Sequence, residues 1–64
     1  MDFVVKINMD NDAFYNDSGV EVARILRGII ENIEGYGDLD DFSPLTLRDY
    51  NGNYVGKAEV RTLS

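Results

Sequence analysis

The chain has 64 residues, 12 acidic and 6 basic side chains and a formal net charge of -6, and it contains neither cysteine nor histidine. This length predicts one small domain spanning residues 1–64. The composition excludes disulfides, thiol chemistry and histidine-based catalysis or metal binding. The negative charge argues against nucleic acid and anionic membranes as partners, and no apolar run approaches the ~20 residues that cross a bilayer.

The first predicted element is a strand over residues 3–9. Phe3, Val5 and Ile7 alternate there with side chains that point to the opposite face, a period of two that is typical of a half-buried strand. Residues 10–18 are rich in Asp, Asn and Ser. They predict a polar loop that is plugged by aromatic side chains.

A helix is predicted to begin near Gly19 and to end at Gly35. Ser18 and Glu21 have the spacing of a capping box, in which each side chain bonds the backbone N–H of the other residue. Gly28 lowers helix propensity by ~1 kcal/mol relative to alanine, which predicts a close approach of another segment at this point. The apolar residues at helical spacing form one wide stripe: Val22, Ile25, Leu26, Ile29, Ile30 and Ile33.

Two further strands, over residues 45–50 and 53–60, are predicted to form a hairpin. The Asn-Gly dipeptide between them is the strongest short-range signal for a two-residue type I′ turn. In this register Tyr54 lies on the core face of the sheet and Val55 on the open face. A three-residue loop is disfavoured because it would place an apolar side chain beside a lysine.

The element order β-α-β-β predicts the fold class α+β. A right-handed crossover makes the first two strands parallel if they share one sheet, and the hairpin adds an antiparallel third strand. We therefore expect a single two-layer domain, in which one helix packs on a three-stranded mixed sheet with a C-terminal Asn-Gly hairpin.

Negative charge is concentrated in two segments, residues 10–17 and 34–41, which contain acidic residues and no base. Acidic surfaces steer encounters with basic partners, and this is the hypothesis we favour for function. The predicted partner contacts are first Asp38, Asp40 and Asp41, and second Asp10, Asp12 and Asp17. The alternative is that both segments are solvated loops that keep the protein soluble.

The open face of the predicted sheet has the opposite character, because it collects four of the six basic residues. An ordinary solvated sheet face explains these bases. The alternative interpretation is that this face is a dimer interface formed by Val4, Tyr50 and Val55. The four basic residues of the open face are Lys6, Arg48, Lys57 and Arg61.

No catalytic or metal-binding set is complete in the sequence. Asp10, Asp12 and Glu21 match three positions of an EF-hand loop, but Tyr15 stands where that loop requires glycine. There is no glycine-rich phosphate loop and no nucleophile–base pair. We therefore predict that the chain is not an enzyme and binds no cofactor or metal.

Three stretches read together resemble a known group of proteins. They are residues 11–14 (Asn-Asp-Ala-Phe), residues 22–27 (Val-Ala-Arg-Ile-Leu-Arg) and residues 49–56, with the pattern Asp-x-Asn-Gly-Asn-x-Val-Gly. The group resembled is that of small acidic proteins encoded by bacteriophages and other mobile elements, from which this chain departs in its extended acidic segment. The resemblance implies a phage-type origin and a location in the host cytoplasm. It also implies a class of function, since small acidic phage proteins often inhibit host defence or nucleic-acid-binding proteins, including as anti-restriction and anti-CRISPR proteins.

Together these observations predict a non-enzymatic phage-type interaction protein that binds and inhibits a host protein with a basic surface through its acidic loops. Duplex DNA carries one charge per ~1.7 Å, about twice the density of the two acidic segments, so a DNA mimic would be sparse as a monomer and denser as a homodimer. The alternative from a different class is a homo-oligomeric structural or assembly module of a phage, with no inhibitory role.

Overall fold

The protein folds in the predicted order β-α-β-β. The computed structural model describes residues 1–62. The elements are β1 (Asp2–Ile7), a 3₁₀ turn (Asp12–Phe14), α1 (Ser18–Glu34), β2 (Leu45–Arg48) and β3 (Tyr54–Arg61). The α+β class and the element order are thus confirmed.

The three strands form one open sheet in which β3 lies between β1 and β2. Both neighbouring pairs are antiparallel. β1 and β2 therefore run in the same direction, as the crossover predicts, but they are not neighbours. The predicted mixed sheet is wrong for this reason: β3, with 8 residues the longest strand, occupies the centre and pairs antiparallel on both sides.

α1 covers one face of the sheet with part of its apolar stripe. Ile25 and Ile29 are buried, whereas Leu26 and Ile30 are exposed, so the stripe is wider than the contact it makes. The 3₁₀ turn adds two more buried side chains, which anchors the polar loop after β1 in the core, as the aromatic plug predicts. The core consists of Ala13, Phe14, Ile25, Ile29, Leu47, Val55 and Ala58, with Val5, Ile7, Val22, Ile33 and Leu45 packed against it.

The hairpin turn has three residues between its closing pair, not two. The Asp49 N–H donates to the Asn53 carbonyl oxygen at 2.9 Å, and the Gly52 N–H donates to the Asp49 carbonyl oxygen at 2.9 Å. Gly52 has a φ of 86°, whereas Asn51 is not left-handed. The predicted type I′ turn is wrong because that turn needs two successive left-handed residues.

A β-bulge in β3 restores the predicted register beyond this longer turn. Leu47 pairs with Gly56, as predicted, but the next residue of β2, Arg48, pairs with Tyr54. Val55 is therefore the extra residue of the bulge. It is 4% exposed in the core, whereas Tyr54 is 61% exposed. The predicted positions of these two side chains are reversed, so the buried Val55 side chain offers no surface to a dimer.

Gly56 lies where β3 leaves no room for a side chain against the backbone of β1. A Cβ atom at this residue would overlap the Lys6 carbonyl oxygen and lie 2.9 Å from the Lys6 carbonyl carbon, so only glycine fits. Gly28 differs, because no atom lies within 4 Å of the position its Cβ would take. The close approach predicted at Gly28 is absent from the described part of the chain.

The start of α1 departs from the predicted capping box. Asp17 is the N-cap residue, with φ 54° and ψ 46°, and its side chain makes no capping hydrogen bond. The capping box between Ser18 and Glu21 is wrong because the Glu21 carboxylate bonds Arg24 and the hairpin instead. An acidic side chain is thus drawn away from the helix start and used to hold two elements together.

Candidate functional site

A buried carboxylate organises the hairpin turn. One Asp49 oxygen, Oδ1, accepts the backbone N–H groups of Asn51 and Asn53, each at 2.9 Å. The other, Oδ2, accepts the side-chain amides of Asn11 at 2.7 Å and Asn53 at 3.3 Å. Burial raises the pKa of Asp49, but these donors together outweigh burial and hold it below its usual 3.8. The hairpin turn is therefore built around a charged group.

A second buried carboxylate joins this hairpin to α1. Glu21 accepts from Arg24 Nε at 2.7 Å and Nη2 at 2.9 Å, and from the Tyr50 backbone N–H at 2.8 Å. The hydrogen bonds from Arg24 lower the pKa of Glu21 more than burial raises it, and the Tyr50 N–H lowers it further. Arg24 Nη2 also donates to the Arg48 carbonyl oxygen at 3.1 Å. We call Asn11, Glu21, Arg24 and Asp49 the hairpin–helix junction.

Local sequence patterns do not predict this junction. The capping-box spacing places Glu21 at the helix start, and the Asn-Gly dipeptide predicts a turn without a role for Asp49. A signal was present, because an Asp two residues before a turn Asn commonly accepts the turn's own N–H groups. The partner at Asn11 is 38 positions away in the chain, and local patterns give no sign of it.

A pocket of about 210 Å³ opens beside the junction, between the 3₁₀ turn, the start of α1 and the hairpin tip. Val20 and Tyr50 line this pocket, and they are 69% and 63% exposed. Tyr15, which directly follows the 3₁₀ turn, is also exposed. We call this pocket the acidic pocket; its lining residues are Asp12, Ala13, Asn16, Asp17, Val20, Glu21 and Tyr50.

The acidic pocket can receive a positively charged side chain. The Glu21 charge is already balanced by Arg24, whereas Asp12 and Asp17 make no salt bridge within residues 1–62. The exposed ring of Tyr50 and the methyl groups of Val20 offer apolar surface to the stem of a lysine or arginine. The geometry therefore combines charge with the kind of apolar contact that anchors interfaces.

The structure divides the predicted contact residues between two places. Asp12 and Asp17 line the acidic pocket. Asp10, two residues before Asp12, is exposed but is not among the lining residues. Asp38, Asp40 and Asp41 are exposed in the segment after α1. The two groups flank opposite ends of a helix of 17 residues, which spans about 25 Å at ~1.5 Å per residue. One small basic group cannot reach both.

The open sheet face carries a second pocket, of about 320 Å³. We call it the basic pocket, and it is lined by Lys6, Asn8, Tyr54, Val55, Gly56, Lys57 and Arg61. Glu59 bonds Lys57 at 3.4 Å and Arg61 at 3.0 Å. The hydrogen bond from Arg61 lowers the pKa of Glu59 more than burial raises it, and Lys57 adds to the lowering.

The candidate dimer residues do not share a surface. Val4 is half-buried in β1, Tyr50 lies in the hairpin turn beside α1, and Val55 is in the core. Arg48, which was predicted with the basic residues of the open face, donates from Nη1 to the Gly52 carbonyl oxygen at 3.1 Å and so serves the hairpin turn.

Comparisons with protein-family models, curated proteins and solved structures find no match to this chain. Over residues 1–62, no helix has the length and apolar character needed to cross a membrane. The same part of the chain holds no group of three or more acidic side chains placed to bind a metal ion. The described residues form a small α+β domain that carries the acidic pocket and the basic pocket at separate places.

Proposed function

We propose that this protein is a non-enzymatic interaction protein, which binds a basic surface of a host protein and inhibits it. The observation that carries the proposal is the acidic pocket, where Asp12 and Asp17, which make no salt bridge within residues 1–62, lie with the exposed Val20 and Tyr50. The resemblance to small acidic phage proteins supports a target among host defence or nucleic-acid-binding proteins. Such targets carry basic surfaces because they contact phosphates.

The pocket suits one lysine or arginine side chain of the partner. The charged head group would lie between Asp12 and Asp17, and its stem would pack on Tyr50. Tyrosine is enriched among residues that dominate binding energy, and a charge pair that is shielded by a ring is worth more than an exposed one. The exposed Tyr15 and Val20 extend the contact around this anchor.

The backbone of Asp17 supports the same interpretation. A residue other than glycine with positive φ is uncommon, and Asp17 has the only one within residues 1–62. An N-cap aspartate normally stabilises its helix by accepting an N–H bond, yet this side chain does not. A left-handed residue whose side chain makes no capping hydrogen bond is the kind of feature that marks functional positions.

Asp38, Asp40 and Asp41 take a secondary role in this proposal. They project from an exposed segment, and within the described chain they make no salt bridge. Exposed charges of this kind raise the rate of association more than they hold the complex together. The alternative, a homo-oligomeric assembly module, has less support because its three contact residues lie in different surroundings.

The first test uses hexa-arginine peptide as a defined basic probe, with binding followed residue by residue in two-dimensional NMR spectra. We expect the largest shifts at Asp12, Asp17 and Tyr50. The double variant Asp12→Asn/Asp17→Asn should lose about tenfold in affinity. Asparagine also tolerates the left-handed conformation, so the fold should remain intact.

The matched control is Asp38→Asn/Asp40→Asn, which removes the same charge from the other segment. We expect it to weaken binding by no more than about threefold and to make binding less sensitive to salt. Equal losses in the two double variants would mean that only net charge matters, and would refute the pocket as the anchor.

The second test is capture of partners from host lysate with the tagged protein, followed by an activity assay on whatever binds. A real target should be lost with Asp12→Asn/Asp17→Asn and retained with the control variant. Adding the protein should also lower the target's activity. Capture that leaves the target's activity unchanged would contradict inhibition while leaving binding in place.

A further inference from the structure

The basic pocket is unusual in a chain of net charge -6, and nothing in the proposed function uses it. It shares no residue with the acidic pocket. The β-bulge creates part of its wall, because it turns Tyr54 from the core to the open face. The hydrogen-bond donors that line it are the side chains of Lys6, Lys57, Arg61, Asn8 and Tyr54.

Two of these cations oppose each other directly. Lys6 on β1 pairs with Lys57 on β3, and the Cβ atoms of such opposed residues lie about 5 Å apart. Like charges in this position destabilise a sheet. A sheet face that served stability alone would place an acid at one of these two positions.

The acids on this face do not relieve that repulsion fully. Glu59 bonds both Lys57 and Arg61, so one carboxylate is shared between two cations. Asp2 lies at the far edge of the face, opposite Arg61 in the register. Lys6 makes no salt bridge among residues 1–62.

We propose that the basic pocket binds the phosphate groups of a small anionic ligand. A phosphate group carries up to two charges and several acceptor oxygens, which matches several cations with amide and hydroxyl donors better than a single carboxylate does. The volume of about 320 Å³ is at the lower end for small-molecule sites. The net charge of -6 disfavours nucleic acid, because a long polyanion is repelled by the rest of the molecule.

The test uses inorganic pyrophosphate as the probe and thermal unfolding of the full chain as the readout. Pyrophosphate at ten times its dissociation constant should raise Tm by about 5 °C or more. Sodium chloride at the same ionic strength should have a clearly smaller effect. Equal effects of the two salts would show an adventitious ion or simple screening only, and would overturn the proposal.

Single-charge variants separate a site from general screening. Lys6→Gln and Lys57→Gln should each reduce the pyrophosphate response by about half or more. In chloride alone, Lys6→Gln should leave Tm unchanged or raise it, because it removes a repulsion. The matched control is Arg27→Gln, which removes one positive charge from the exposed surface of α1 and should keep the full response. A response that survives both lysine changes refutes the site.

Two further probes decide the chemical class. A short DNA duplex and a poly-glutamate peptide are each compared with pyrophosphate at equal charge concentration. We expect weaker stabilisation from both. A larger response to poly-glutamate would overturn the choice of phosphate, and a response to duplex without one to pyrophosphate would overturn the choice of a small ligand.

Discussion

Two groups of acidic residues in this protein play opposite parts. At the hairpin–helix junction, Glu21 and Asp49 are buried and accept hydrogen bonds with donors at 2.7 to 3.3 Å. In the segment after α1, Asp38, Asp40 and Asp41 are exposed, and the side-chain hydrogen bond that they make within residues 1–62 is from the Asp40 N–H to Asp38 Oδ1. Acidic side chains support the fold in one place and lie exposed to solvent in the other.

The difference teaches that net charge does not tell which acidic side chains hold the fold and which lie exposed. The acids that matter for folding have lowered pKa values because fixed donors favour their charged form. Acids without such donors contribute little to the free energy of folding and can be changed with little structural cost. Each prediction below tests whether the two groups separate in this way.

The largest change in stability is expected on lowering the pH. Glu21, Asp49 and Glu59 all have lowered pKa values, so the unfolded chain binds protons before the folded one does. Stability should be constant from about pH 7 to 5 and be lost as pH falls below the usual values of 3.8 and 4.5. We expect Tm to fall by roughly 10–15 °C at pH 3, measured by circular dichroism.

The control for the acid effect is Asp38→Asn/Asp40→Asn/Asp41→Asn, which should show the same pH profile. If the triple variant abolished the acid effect, the division between the two groups would be wrong.

The second prediction concerns Asp49 alone. Asp49→Ala removes all four bonds to the carboxylate and should lower Tm by about 10 °C. Asp49→Asn should lose about half as much, because its oxygen can still accept the N–H groups of Asn51 and Asn53. The new NH₂ group would then face the NH₂ group of Asn11. Asn11 cannot exchange its amide oxygen and nitrogen to relieve this contact, because its oxygen accepts the Ala13 N–H at 3.1 Å. Equal effects of Ala and Asn would contradict this geometry.

The third prediction is smaller. Glu21→Gln keeps one acceptor for the Tyr50 N–H but loses the two-point contact with Arg24, and it should lower Tm by about 5 °C. The control is Glu31→Gln, an exposed position on the same helix, which should change Tm by less than about 1 °C. A loss at Glu31 as large as that at Glu21 would mean that helix charge, not the junction, is being measured.

Much of the fold follows from local patterns, and the departures have physical reasons. The helix and the pairing of Leu47 with Gly56 follow from periodicity and core faces. The three-residue turn does not follow from a local pattern. It depends on the Asp49 carboxylate, which accepts the backbone N–H groups of Asn51 and Asn53. The bulge at Val55 then absorbs the extra residue and keeps Leu47 in the core.

The candidate site was less predictable than the fold. The sequence identifies Asp12 and Asp17 as acidic residues of one loop, but not the pocket they form with Tyr50. That pocket depends on the contact between the hairpin and α1, which is made through Glu21. Contacts between distant segments leave no periodic signal, so the sequence places Asp38 ahead of Asp12 and Asp17, the two acids that line the pocket.

The smallest effect on stability is expected where charge is densest. Asp38→Asn/Asp40→Asn/Asp41→Asn should change Tm by less than about 2 °C, and in the upward direction. Asparagine at position 38 can still accept the Asp40 N–H, and removing acids after the helix end relieves their unfavourable interaction with the helix dipole. Thermal unfolding at low salt, where the charges are least screened, gives the most sensitive measurement. A fall in Tm of 5 °C or more would show that Asp38, Asp40 and Asp41 stabilise the fold. The contrast with the buried acids of the hairpin–helix junction would then be wrong.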